Sequence, residues 1–135
     1  MDWKLEVVVV PVSDVDRAKH FYSEQLGFVV DLDDQPTGNV RVVQLTPPGS
    51  ACSITIGIGL APMEPGTLKG LQLVVSDIDA AREQLVERGV QVSPVQHFEA
   101  SGGLVDGKGG PWNSFVFFDD PDGNSWAVQE KAAQG

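Results

Sequence analysis

Along this chain, short apolar runs and capped amphipathic stretches follow one another in a fixed order, and the order is written twice. Residues 5–10 close on an unbroken run of valines, as expected of a strand covered on both faces. Pro11 ends it, because proline cannot donate to a sheet ladder. Ser13 or Asp14 then caps a helix that runs to Gln25, with Val15, Ala18, Tyr22 and Leu26 recurring three or four residues apart on its apolar face. Asp16 in the first turn suits the helix dipole, and Gly27 is the stop. Strands are expected at 28–33, 40–45 and 52–58, with turns at 34–38 and 46–50. In the last of these strands Cys52, Ile54, Ile56 and Ile58 alternate with Ser53, Thr55 and Gly57, which predicts one buried and one open face.

After a linker at 59–70, rich in glycine and proline, the order returns. Val12-Ser13-Asp14-Val15-Asp16 is matched by Val75-Ser76-Asp77-Ile78-Asp79, and Val15, Ala18 and Tyr22 by Ile78, Ala81 and Leu85. The pattern predicts a strand at 71–75, a helix capped by Ser76 or Asp77 and stopped at Gly89, and a strand at 90–95. A long polar loop is expected at 97–111, then strands at 113–118 and 125–129 around the turn Asp120-Pro121-Asp122-Gly123-Asn124. The tail after Glu130 is expected to fray. The reading is a single α+β domain over residues 1–135, built from two tandem βαβββ modules, about 4–58 and 71–130. One helix covers one face of each module's sheet; the other face needs the second module, another subunit or a ligand.

Composition narrows the function. A net charge of -10 argues against nucleic-acid and anionic-membrane partners and suits solubility. Cys52, the single cysteine, excludes an internal disulfide and fits a reducing, cytoplasmic setting. The longest apolar run, 7–10, is far too short to span a bilayer, and no signal peptide is read at the start.

Val12-x-Asp14 ahead of a helix, Phe21-Tyr22, Leu26-Gly27-Phe28 and the late Asp120-Pro121-Asp122-Gly123-Asn124 resemble the vicinal oxygen chelate superfamily, over roughly residues 5–130. That superfamily includes glyoxalase I, extradiol dioxygenases, fosfomycin-resistance proteins and bleomycin-binding proteins. The resemblance implies two modules paired into a cupped mixed sheet, completed in a homodimer, with the ligand in the cup. It also implies where a divalent metal would be held: seven residues before the aspartate of each V-x-D, and three after the asparagine of the late turn. Those positions are Val7, Gly70 and Ala127, and none offers the oxygen or imidazole donor a hard cation needs. The expectation is no metal and no cofactor. A slip of one residue would offer Glu6 and Glu130, beside His97, but turns both strand side chains to the opposite face.

With Val7 in the ligand slot, the two-residue period of a strand assigns the inner face. Val7, Val9, Gln44, Ser53, Thr55, Gln72 and Gln129 are then the candidate ligand-binding residues, a neutral, amide-rich and partly apolar surface that suits an organic molecule. Trp112, at the end of the glycine-rich loop, is a candidate lid residue. His97 is the candidate acid or base, because imidazole titrates near neutral pH. His20 is expected to be solvated and Cys52 to belong to the core. Gly102 to Lys108 imitates a phosphate loop, but Gly109 stands where a hydroxyl would bind magnesium and Pro111 forbids the helix that should follow. The acidic turn at 119–122 lacks calcium-loop spacing. The function expected is small-molecule binding without the usual metal, by sequestering or carrying an organic ligand. The alternative is a lyase, isomerase or dioxygenase working through displaced metal ligands or through metal-free acid–base chemistry at His97.

Overall fold

A computed structural model of the chain describes residues 1–133 and resolves into two compact units. The first spans Met1–Leu68 and includes the turn Asp120–Asn124; the second spans Lys69–Asp119 and the chain from Ser125 onward.

In the first unit β1 (Val7–Val9) leads through Asp14 into α1 (Val15–His20). β2 (Val29–Thr37), β3 (Val40–Thr46) and β4 (Ser53–Ile58) follow. They form a mixed sheet in the order β1-β4-β3-β2, with β1 parallel to β4 and the other pairs antiparallel. Asp14 is the cap, its carboxylate accepting from the Arg17 amide at 3.0 Å. The expected α-helix to Gln25 is only half right, because Phe21–Gln25 is a π turn. It closes with the Leu26 amide donating to the Phe21 carbonyl at 3.0 Å. The wider turn carries both Phe21 and Tyr22 into the core, where only Tyr22 was expected. On the sheet, Val43 pairs with Ile56 and Leu45 with Ile54, and all four are buried on the face that packs with α1.

β2 runs straight through the turn expected at 34–38; the reversal is at Gly38 and Asn39. Pro36 is tolerated because β2 is the edge strand, where an absent donor breaks no inner ladder. The pairing nonetheless slips twice, around Asp31 and between Asp34 and Thr37. An ionic cluster ties α1 to this edge. Arg41 bonds Asp16 at 2.8 Å and Asp33 at 3.0 Å, and Lys19 bonds Asp33 at 2.7 Å. The Arg41 guanidinium, and then the Lys19 ammonium, hold the Asp33 carboxyl down to about 2, while the two carboxylates raise Arg41 further.

The turn Asp120–Asn124 closes the first unit with a buried polar network. Asp120 accepts from the Tyr22 hydroxyl at 2.7 Å, from the Asn124 side-chain amide at 2.8 Å, and from the backbone amides of Asp122 and Asn124, each at 2.9 Å. Asn124 also donates to the Pro11 carbonyl at 2.7 Å and accepts from the Leu68 amide at 3.1 Å. Gly66 fits because a Cβ there would run into the Asp122 carbonyl.

The second unit repeats the plan: β5 (Leu71–Val75), α2 (Ile78–Glu87), β6 (Gln96–Phe98), β7 (Leu104–Asp106), β8 (Phe115–Asp119) and β9 (Ser125–Glu130). Its order, β5-β9-β8-β6-β7, is that of the first sheet with one more strand at the edge. β5 runs parallel to β9, as β1 does to β4. Asp77 caps α2 through the Ala80 amide at 3.0 Å. Val116, Phe118, Trp126 and Val128 share the buried face, with Ile78 and Leu85 of α2 buried too. Two expectations fail here. Residues 90–95 make only a single bridge, Val92 to Phe118, because Pro94 interrupts and the Ser93 hydroxyl takes up the Phe117 amide at 2.9 Å. The expected loop at 97–111 contains most of a hairpin, β6 with β7, and His97 lies within β6. Beyond β9, residues 131–133 have no regular structure. The rest of the tail expected to fray lies outside the described residues.

Candidate functional site

Strand register places the candidate residues in two sets, one on each sheet. On the first sheet Val7 pairs with Ser53, Val9 with Thr55, and Gln44 with Thr55. These five therefore share the face opposite α1. Ser53 and Thr55 are buried there, and the Ser53 hydroxyl lies 2.6 Å from that of Thr46, which in turn donates to Asp31. Val7 remains 38% exposed.

On the second sheet the face opposite α2 is aromatic. Register aligns Phe115 with Gln129, Phe117 with Ala127, Gln72 with Ala127 and Val74 with Gln129, while Gln96 opposes Phe115. Phe98, one period along β6, meets Phe115 edge-on with centroids 5.4 Å apart, and Phe115 stacks on Phe117 at 5.9 Å. Beside these rings runs an amide relay. Gln72 Nε2 donates to Gln129 Oε1 at 2.7 Å, and Gln129 Nε2 donates to the Trp112 carbonyl at 2.7 Å. Trp112 has a φ of 62°, rare for a bulky residue, and this conformation presents its carbonyl to Gln129. Phe98 is 44% and Val74 56% exposed, so the surface can be reached. Reasoning from sequence named Gln72, Gln129 and Trp112 but missed the three phenylalanines. The available signal was β8, where Phe115 and Phe117 alternate with Val116 and Phe118, making both faces apolar.

The segment around Trp112 is bonded to β6. The Asn113 side chain clamps the Phe98 backbone from both sides, accepting from its N–H at 2.9 Å and donating to its C=O at 2.8 Å. His97 lies on the other face of β6 from Phe98, paired with Val105. Its Nδ1 donates to the Gly107 carbonyl at 2.8 Å, and the Gly109 amide donates to Ser114 Oγ at 3.1 Å. A Cβ on Gly109 would strike the Asn113 carbonyl. These bonds fasten the stretch from Gly107 to Asn113 onto the sheet.

The second unit also has a cleft of about 570 Å³ at the start of α2, lined by Asp77, Asp79, Lys108 and Glu130. Its charges are occupied. Glu130 accepts from the Ile78 amide at 2.9 Å and pairs with Lys108 at 3.3 Å. A capping carboxylate beside a lysine serves the helix end, so the aromatic face is the better candidate.

The sequence profile of the Glyoxalase/Bleomycin resistance protein/Dioxygenase superfamily matches residues 4–128. The chain belongs to this superfamily. Among solved structures of similar fold, TnmS3, an antibiotic binding protein from Streptomyces sp. CB03234, is 35% identical, covers 97% of this chain and 98% of its own, and superposes with a TM-score of 0.78. A glyoxalase/bleomycin resistance protein from the same organism is 36% identical over 94% of this chain and 100% of its own, with a TM-score of 0.74. A Glyoxalase/bleomycin resistance protein/dioxygenase superfamily member from Sphaerobacter thermophilus DSM 20745 is 29% identical over 96% and 98%, with a TM-score of 0.76. No curated protein matches the chain. No helix among the described residues is long and apolar enough to cross a membrane.

Metal chemistry known in this superfamily has to be tested against the donors present. Val7, Gly70 and Ala127 carry no side-chain donor. Among the described residues, no three His, Cys, Asp or Glu side chains gather where they could hold a metal ion. Glu130, the displaced alternative, is engaged as described above. The side chains at those three positions do not fit a divalent ion.

Proposed function

We propose that this superfamily member is a metal-free binding protein that sequesters or carries a flat organic molecule, held against the helix-free face of its second sheet. The observation that carries this reading is the juxtaposition of the Gln72–Gln129–Trp112 relay with three phenylalanines in ring contact. Aromatic rings supply contact area at low entropic cost, and a few fixed polar groups set orientation, which is the composition of a small-molecule site. The likeness to an antibiotic binding protein points the same way. On this reading the two modules act as one domain, a second copy of the chain closes over the ligand, and the protein works in a reducing cytoplasm, where its single cysteine stays free.

The test is thermal stabilisation by a panel of polycyclic aromatic antibiotics, beside a panel of aliphatic ones, with and without added zinc or manganese. Binding stabilises by mass action, by about 2.7 kcal/mol at a hundredfold excess over Kd. The aromatic panel should raise the melting temperature, with or without metal. Stabilisation that requires metal, or none at all from either panel, would overturn the proposal. A chain that sediments as a monomer while still binding the aromatic panel would remove the second copy from it.

A further inference from the structure

We infer that the ligand presents a hydrogen-bond donor, a phenol or an amine on its ring system, to the side-chain oxygen of Gln72. The inference deepens the binding reading above and rests on it. It comes from the direction of the amide relay. The Trp112 backbone carbonyl can only accept, so Gln129 must turn its nitrogen toward it. That rotation leaves the Gln129 oxygen facing Gln72, which must answer with its own nitrogen. The orientation of both amides is thereby fixed by a backbone atom. The relay runs one way, and its head is Gln72 Oε1, with no partner among the described residues. Each amide nitrogen has already given one proton, whereas this oxygen keeps both lone pairs.

Hydrogen bonds in series polarise one another when donors and acceptors follow head to tail. A ligand O–H or N–H on Gln72 Oε1 extends the series by one link in the same sense. A ligand acceptor would have to use a spare amide proton at the side of the relay and gains no such reinforcement. Gln72 lies next to Ala127 in the ladder, and Ala127 next to Phe117, so the small alanine leaves room for a ring that covers Phe117 while its substituent reaches Gln72.

The experiment is an NMR titration of the full chain with naphthol and, separately, with its methyl ether, which keeps the ring and the oxygen but loses the proton. Naphthol should bind about five- to tenfold more tightly, as one net hydrogen bond allows, and should move the Gln72 side-chain amide signals. Gln72→Leu should abolish the preference, bringing naphthol to the same affinity as its ether for that variant. Equal affinity of the two compounds for the unaltered chain overturns the donor assignment and leaves the binding reading standing. Failure of both to bind overturns the two together. An affinity that weakens as protein concentration rises means that a second copy occupies the face, and overturns the assignment as well.

Discussion

The hydroxyl of Tyr22 donates to the carboxylate of Asp120 at 2.7 Å, across 98 residues of chain. Tyr22 is fully buried and Asp120 nearly so. Tyr22→Phe should therefore cost about 1–3 kcal/mol, because the buried carboxylate loses a donor it cannot replace. Asp120→Ala should cost more, since the donors of Tyr22, Asn124 and two backbone amides lose their acceptor together. Urea denaturation of the two variants checks the order; equal midpoints with the unaltered chain would show the network to be dispensable.

Asp33 should report the ionic cluster directly. Its carboxyl is held down from 3.8 to about 2 by Arg41 first and Lys19 second. A depressed carboxyl stabilises the fold fully above its unfolded value and loses that contribution as pH falls through the folded one, here between 3.8 and about 2. In Arg41→Met the midpoint should climb back toward 3.8, with only about 0.2–1 kcal/mol lost near neutral pH, since the cluster is partly solvated. A carboxyl-detected NMR titration checks this, and an Asp33 midpoint unchanged by Arg41→Met would show that Arg41 does not hold it down.

Val116 and Phe117 are neighbours in β8 that point to opposite faces. Val116→Ala should lower stability by about 1–3 kcal/mol through a cavity in the core and leave ligand affinity nearly intact. Phe117→Ala should do the reverse, weakening an aromatic ligand about tenfold for roughly 1.4 kcal/mol of lost contact. Chemical denaturation paired with calorimetric titration separates the two, and matched losses in both variants would mean that β8 has no dedicated binding side.

His97 anchors the turn at Gly107 on the face away from the phenylalanines. In His97→Ala, hydrogen exchange should quicken at residues 107–114, while affinity for an aromatic ligand stays within about twofold. A collapse of binding with exchange unchanged would return the imidazole to the ligand's side.

Local chemistry was legible and long-range geometry was not. Asp14 and Asp77 announce their helices because a cap acts within one turn. The strand pattern at Ser53–Ile58 is likewise visible because alternation needs only its own residues. Whether Pro36 breaks a strand depends on whether that strand is an edge, which is a property of the whole sheet. The π turn at Phe21–Gln25 follows from how two adjacent aromatics pack, which no spacing rule encodes. For the candidate site, Gln72 and Gln129 could be named from period two, and the register sets the two on one face of the sheet. Phe98, Phe115 and Phe117 were hidden because a phenylalanine in a strand reads as core whichever way it points.

The π turn also bears on how this chain tolerates changes of length. An α-helix closes on the fourth residue back, and this turn closes on the fifth, so one residue is held in excess of regular winding. Deleting Phe21 would let the helix rewind into an ordinary α turn. The rewound helix would swing Tyr22 about a quarter turn away from Asp120, roughly the 100° that each residue adds in an α-helix. A substitution in this segment removes one contact, whereas a deletion would rotate the whole aromatic anchor off its partner.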